Sequence, residues 1–298
     1  MRAIITGATG VVGNALIQEL IQNGDEVLVL AQKGSKRNET IPNSPLVSVR
    51  FCDLSELATL QNTDSRPFDV FYHLAWDGTV GQARDDMYRQ NRNVTYALDA
   101  VHTAHRFGCQ CFVGAGSQAE YGRVEGILTP DTPTRPEMGY GIGKLCAGLM
   151  TRKECHALGM RHIWARILSV YGPYDGMQSV VMSTIESLRR GESPKLTRGE
   201  QMWDFLFSYD AARALVLLAE RGIDGKTYVL GSGHARPLSE YMAEIRDVVA
   251  PSVPLSLGAL PYGSGQIMHL EADISALRED LGWEPAHTFR QGIEILMA

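Results

Sequence analysis

The chain lacks any apolar run approaching the ~20 residues that a membrane-spanning helix requires. It also lacks an opening stretch of the basic-then-apolar kind that directs secretion. These absences predict a cytoplasmic protein with no membrane contact. Positive charge is not in excess: 28 Lys and Arg stand against 34 Asp and Glu, a formal net charge of −6. That balance removes the electrostatic footprint of a nucleic-acid binder. Cysteine is scarce, with five residues (52, 109, 111, 146 and 155) and no CxxC pair. An odd, unpaired set argues against a disulfide framework and for a reduced compartment. Cys109 and Cys111, just before an expected strand, read as packing residues rather than metal ligands. Repeats, low-complexity tracts and clean linkers are also missing. What remains is 298 residues with a hydrophobic share of 44%, enough for a substantial core.

Glycine, by contrast, is placed with purpose at the start. Arg2-Ala3-Ile4-Ile5 reads as a short buried strand, and Ala15, Leu16, Leu20 and Ile21 as the inner face of a following helix. Between them TGATGVVG supplies Gly7, Thr9, Gly10, Val11, Val12 and Gly13. A tight strand-to-helix turn needs residues without a Cβ, for backbone freedom and for close approach of a pyrophosphate. The helix N-terminus then presents free N–H groups and a positive dipole end to the phosphates. The expected ligand is a dinucleotide. A carboxylate about 20 residues beyond such a loop would select NAD through the ribose 2′-hydroxyl. This chain instead reads Ala31-Gln32-Lys33-Gly34-Ser35-Lys36-Arg37. Lys33, Lys36 and Arg37 would welcome a 2′-phosphate, so NADP(H) is the preferred cofactor and NAD(H) the alternative. Asp53-Leu54 follows the third strand and is placed to reach the adenine edge.

Strand-like runs fall at 2–5, 26–31, 46–51, 69–74, 111–115 and 162–168, with helical patterns at about 11–23, 55–61, 85–107 and 138–158. That alternation predicts an α/β fold, a Rossmann-type doubly wound parallel sheet with helices on both faces. Ligands of such sheets bind beyond the carboxyl ends of the strands. Gly7, Ala75-Trp76, Ser117 and Ser169 all fall there. After Pro173 the rhythm loosens: helices at 178–191, 210–221, 238–248 and from about 288, a strand at 226–230, and a Pro- and Gly-rich stretch at 251–265. Residues 1–170 are expected to bind the cofactor and 171–298 to form a smaller, interleaved substrate lobe, with 199–232 partly returning to the first unit.

Tyr140 and Lys144, in YGIGK, lie four residues apart on one helix face. A free phenol titrates near ~10, and a neighbouring cation favours its ionised form. Tyr140 could thus supply the proton that accompanies hydride transfer at a carbonyl. With TGATGVVG, HLAW at 73–76, GSQAEYG at 116–122, YGIGK at 140–144, VYGP at 170–173, GEQMWDFLFSYDAARA at 199–214 and DLGWEP at 280–285 in order, the chain resembles the extended short-chain dehydrogenase/reductases. More narrowly it is similar to their nucleotide-sugar epimerases, dehydratases and 4-ketoreductases.

That resemblance implies that Tyr140 is the acid/base and that Lys144 holds the nicotinamide ribose while lowering the tyrosine pKa. Ser117 would hydrogen-bond the reacting sugar oxygen, and Asn93 would support the active site. Gly7, Gly10, Asp53, Leu74, Ala75, Trp76 and Ser169 would contact the cofactor. It also implies a nucleotide-diphosphate sugar as substrate and a homodimer built from regions near 85–107 and 140–158. Departures matter as well. Gln118 and Glu120 stand where small or apolar residues are usual; both are candidates to face the sugar, with solvent the alternative for Glu120. Trp203 replaces an arginine that would grip the substrate diphosphate, which is not a conservative exchange; Arg198 and Arg213 are the candidate substitutes. Gln118 after Ser117 disfavours a dehydratase, whose acid and base would follow the active-site hydroxyl. The basic 33–37 segment disfavours an NAD-retaining 4-epimerase. The expected reaction is NADPH-dependent reduction of a nucleotide-linked 4-keto-6-deoxysugar, with the 4-epimerase as runner-up and a non-catalytic NADP(H) sensor as the alternative of another class.

Overall fold

A computed structural model describes every residue of the chain except Ser65 and Ser264, the latter within the expected Pro- and Gly-rich stretch. Seven parallel strands form the central sheet in the order β10-β6-β5-β4-β1-β2-β3. In chain order the first elements are β1 (Arg2–Thr6), α1 (Val11–Gln22), β2 (Glu26–Ala31), β3 (Val47–Phe51) and β4 (Val70–His73). They are followed by α2 (Met87–Arg106), β5 (Cys111–Ser117), α3 (Gly139–Ala157), β6 (Arg161–Ile167) and β7 (Ser169–Tyr171). The remainder are α4 (Val180–Arg189), β8 (Met202–Trp203), β9 (Phe205–Phe207), α5 (Ser208–Arg221), β10 (Thr227–Leu230), β11 (Arg236–Pro237), α6 (Leu238–Val249), α7 (Ser275–Leu281) and α8 (Phe289–Met297).

Alternation along the strands explains the two faces, because successive side chains point to opposite sides. Ile4, Phe71 and Phe112 pack with Ala100, Val101 and Ala104 of α2 and Cys155 of α3. Ala3, Ile5, Val29, Tyr72 and Val113 pack on the other side with Leu16 and Leu20 of α1 and Leu215 of α5. All five cysteines are free thiols, and Cys109 and Cys111 are buried as packing residues. No helix among the described residues is long and apolar enough to cross a membrane.

The strand order reverses at β1, which lies between β2 and β4, and this is where a doubly wound sheet opens a crevice. The expected strand at 226–230 rejoins the sheet beside β6. A separate aromatic core of Tyr171, Phe205, Phe207, Tyr241 and Phe289 binds α4, α6 and α8 together. Two expectations change in detail. The helix expected at 55–61 is a 3-10 turn over Leu54–Thr59. That expected at about 85–107 begins slightly later, as α2 at Met87, since Asp86 caps it by accepting from Arg89 N; a 3-10 turn, Gly81–Asp85, precedes it.

Candidate active site

The glycine loop is shaped by contacts that a side chain would block. Gly7 has φ +77°, and a Cβ there would lie 2.6 Å from Ala75 N. A Cβ on Gly13 would lie 2.2 Å from Gly7 O, so the first turn of α1 is drawn directly onto the loop. Gly10 caps α1 without a side-chain hydrogen bond, which leaves the N–H groups of the Val11–Val12 turn free for an anion. The loop opens onto a cavity of about 550 Å³. Its wall includes Gly7, Thr9, Gly10, Asp53, Leu54, Leu74, Ala75 and Trp76 of the expected residues. A cradle that only glycines permit, beside a cavity of this size, fits a dinucleotide.

The basic segment divides. Arg37 lines the cavity and donates to Thr9 O at 2.8 Å, joining the second-strand loop to the glycine loop. Lys33 and Lys36 are exposed and outside the cavity wall. Ser35 and Asn38 line it instead, and Asn38 braces the loop by donating to Gln32 O at 2.9 Å. Neither carries a charge that would have marked it in the sequence.

Ser117 ends β5 and starts a 3-10 turn, accepting from Ala119 N at 3.2 Å. The start of α3 packs closely on that turn because residue 141 is glycine: a Cβ there would lie 2.2 Å from Ala119 O. This approach brings Tyr140 to Ser117. Burial pushes the Tyr140 phenol above its ordinary value; the Ser117 hydroxyl and then the Arg84 charge lower it, and Glu120 raises it. Lys144 is buried, donates to Ala115 O at 2.7 Å and lies 4.0 Å over the Trp76 ring but 5.9 Å from the Tyr140 ring centre. Burial pulls its ammonium down to about 7, with Glu120 opposing. Trp76 meets Tyr140 edge-on at 6.2 Å and donates to Gln90 Oε1 at 2.7 Å, which links the cavity wall to the tyrosine.

Other expected residues have different occupations. Glu120 does not face a ligand: it is fully buried, 2.7 Å from Arg166 Nε, and accepts from Ser117 N at 2.8 Å and Trp164 Nε1 at 3.0 Å. The reason is local: Glu120 is the third residue of the 3-10 turn and its carboxylate turns back to cap Ser117 N. Gln118 leaves its Oε1 buried without a partner. Asn93 is outside the cavity wall; it accepts from Asp77 N and donates to Asp77 O, holding the backbone just after Trp76. Ser169 accepts from Trp203 Nε1 at 2.8 Å, so these two meet each other. Arg213 is tied to Asp210 at 2.7 Å and to Glu284 O, on the side of α5 that neighbours Glu19 of α1. It lies outside the cavity wall. Arg198 is exposed and forms no ion pair among the described residues. Reading the sequence missed Gln90 and Arg84; neither sits in a recognisable motif.

With glycine cradle, cavity and Ser117-Tyr140-Lys144 cluster at one sheet end, the architecture is that of a nicotinamide-dependent enzyme acting on a small-molecule ligand. The chain belongs to the NAD dependent epimerase/dehydratase family, whose model matches residues 3–231. It is 24% identical to UDP-glucose 4-epimerase of Corynebacterium glutamicum over 97% of this chain and 92% of that protein. It is 25% identical to dTDP-glucose 4,6-dehydratase of Neisseria gonorrhoeae, again over 97% and 92%. Among solved structures, the UDP-N-acetylglucosamine 4-epimerase of Methanobrevibacter ruminantium superposes with a TM-score of 0.87 at 22% identity, covering 99% of this chain and 98% of that one. That likeness establishes the Rossmann-type fold.

Proposed function

We propose that the protein reduces a nucleotide-linked 4-keto-6-deoxysugar at C4 with NADPH. The observation that carries this reading is that Gln118, not an acid, directly follows Ser117 beside Tyr140. Glu120, the acid nearest the cluster, is neutralised by Arg166, and Gln118 stands where a dehydratase needs an acid. A site without an acid and base after the serine suits carbonyl reduction rather than dehydration. The nicotinamide, when bound, supplies hydride to C4. Tyr140 gives its proton to the C4 oxygen, Ser117 orients that oxygen, and Lys144 with Trp76 holds the nicotinamide ribose end.

Arg37 supports a 2′-phosphate, with Ala31-Gln32 offering no carboxylate to repel it. Arg198 is the cation we assign to the substrate diphosphate in place of the arginine absent at Trp203. The relatives' names support the nucleotide-sugar class. We assign residues 1–170 to cofactor binding and 171–298 mainly to substrate, with 199–232 partly returning through α5 and β10.

The competing reading is an NAD-dependent nucleotide-sugar 4-epimerase. It is favoured by the exposure of Lys33 and Lys36 away from the cavity and by the 24% identical 4-epimerase. A screen of nucleotide-4-ketosugars with NADPH and NADH, following loss of reduced-nicotinamide absorbance, separates them. Net oxidation faster with NADPH is the expected result. Interconversion of C4 epimers without net oxidation makes the protein an epimerase, and no turnover at all leaves a cofactor sensor.

We also propose a homodimer through the outer face of α2 and α3. Tyr88 on α2 and Ile142, Leu149 and Met150 on α3 are 83%, 47%, 51% and 43% exposed, and exposed apolar side chains gathered on two paired helices are what an interface would cover. Sedimentation velocity should show a dimer, and Leu149→Arg a monomer with its cofactor affinity retained. A monomeric parent protein rejects the interface.

A further inference from the structure

The 3-10 turn Gly81–Asp85 is fastened on both sides of Arg84. Gln90, buried on α2, donates to Ala83 O at 2.8 Å and to Gly78 O at 3.0 Å. Asp85 Oδ1 accepts from Gly139 N at 2.8 Å, docking the turn onto the first residue of α3. Gly139 itself permits the approach, since a Cβ there would meet Met87 Sδ at 3.0 Å and Arg84 O at 3.3 Å. Held in this way, the Arg84 guanidinium lies 4.8 Å over the ring of Tyr140.

The carboxylates that could have neutralised Arg84 are occupied elsewhere. Asp85 is bonded to Gly139 N, Asp86 caps α2, and Asp77 pairs with Arg89 at 3.3 Å. No ion pair to Arg84 occurs among the described residues, and its Nε is buried without a partner. A buried donor left unpaired is costly, about 1–3 kcal/mol, so the arrangement calls for a compensating interaction. The π face of Tyr140 is the one it has. The groups facing Tyr140 are Arg84 from the Gly81–Asp85 turn, Lys144 from its own helix, Ser117 from the end of β5 and Glu120 from the 3-10 turn after it. Lys144 is directed to Ala115 O and Trp76, and is the more distant cation.

We propose that Arg84 is a positioning residue that acts through Tyr140: its guanidinium fixes the ring and favours the ionised phenol, a task the YxxxK spacing would give to Lys144. A guanidinium stays charged throughout the working range, whereas a buried ammonium does not, so proton transfer at Tyr140 keeps a permanent cation beside it. This rests on Tyr140 being the acid of the proposed reaction, and the following test separates the two.

The protein is labelled with [13Cζ]tyrosine, saturated with NAD, and titrated by NMR, with Tyr140→Phe assigning the resonance. Arg84→Gln should move the Tyr140 midpoint upward by about one pH unit, the lower end of what a nearby charge does. Arg84→Lys should restore most of the shift, and both variants should keep the parent's NAD affinity. An unchanged midpoint in Arg84→Gln overturns the proposal. So does a parent phenol that stays protonated wherever the protein remains folded. If Tyr140→Phe turns over ketosugar normally, the reaction assignment fails, while the titration still reports on Arg84.

Discussion

Tyr140 sits where three influences meet: burial that disfavours its charge, a hydroxyl that can share its proton, and two cations of different range. Glu120 is closed off by Arg166 and Trp164, so the proposed reaction takes its proton from the Tyr140 hydroxyl. Tyr140→Phe keeps the ring, hence the edge-on contact with Trp76 and the Arg84 stack, and removes only the proton. Turnover should fall by about 10²–10⁴, the usual scale for lost general acid–base catalysis. Cofactor affinity should not move. Turnover near the parent's value would take Tyr140 out of the mechanism. The buried Glu120–Arg166 pair is a different kind of residue-level feature. Breaking such a pair by removing one partner typically costs about 3–5 kcal/mol, since the other charge is left uncompensated. Glu120→Ala should accordingly show a large drop in thermal midpoint by calorimetry, and a midpoint near the parent's would deny the pair its structural role.

Two elements decide whether a cofactor binds and which one. The first is the loop-to-α1 junction. Gly13→Ala would force a Cβ to 2.2 Å from Gly7 O and 2.9 Å from Ala8 Cα, both backbone atoms that cannot swing aside. The helix must retreat from the loop, so NADPH affinity measured by fluorescence should fall at least about tenfold; unaltered affinity would mean the cradle tolerates that shift. The second is the 32–38 loop, where three cations were indistinguishable in sequence. Arg37 reaches the cavity and Lys33 and Lys36 do not. Arg37→Ala alone should therefore remove most of any preference for NADPH over NADH, and the Lys33, Lys36 double variant very little. Equal effects would put all three on the phosphate.

These elements also mark what was legible in advance. β1, β2, β5 and α3 were visible because their burial imposes strict periodicity, and Gly7, Gly13, Ser117, Tyr140 and Lys144 because motifs carry them. The small β7–β9 and β8–β11 pairings and α7 were not, since strands of two or three residues have no period to detect. Arg84, Gln90 and the burial of Glu120 depend on loops folding against α3, a long-range fact that local spacing does not encode.

The molecule as a whole carries a pH dependence in its sheet. His73 on β4 and His162 on β6 are buried, and burial is the chief cause that lowers them to about 3 and about 4 respectively. His73 keeps one ring nitrogen on Thr6 Oγ1 at 3.0 Å, and His162 one on Thr151 Oγ1 at 2.9 Å; the other nitrogen of each is buried without a partner. His162 also stacks between Phe112 and Trp164, at 6.0 Å from each. For His73 no carboxylate offsets an imidazolium, and for His162 the Asp224 charge opposes but does not outweigh burial. The unfolded chain takes up both protons below about 6.5 while the folded chain refuses them. Unfolding thus binds protons, and stability falls as pH drops from about 6.5 toward 3–4, by at most ~1.4 kcal/mol per pH unit for each histidine. Above 6.5 their contribution is fully present. Lys144, pulled down to about 7 from 10.5, adds a rise of the same sign between those values in the cofactor-free protein. Urea unfolding at a series of pH values between 7 and 4 should show this slope, and His73→Asn should flatten it by about one proton, whatever its effect on stability at pH 7. Asparagine can still bond Thr6 and cannot titrate. A slope identical to the parent's would show that His73 is protonated in the folded sheet and that the sheet has found a partner for it.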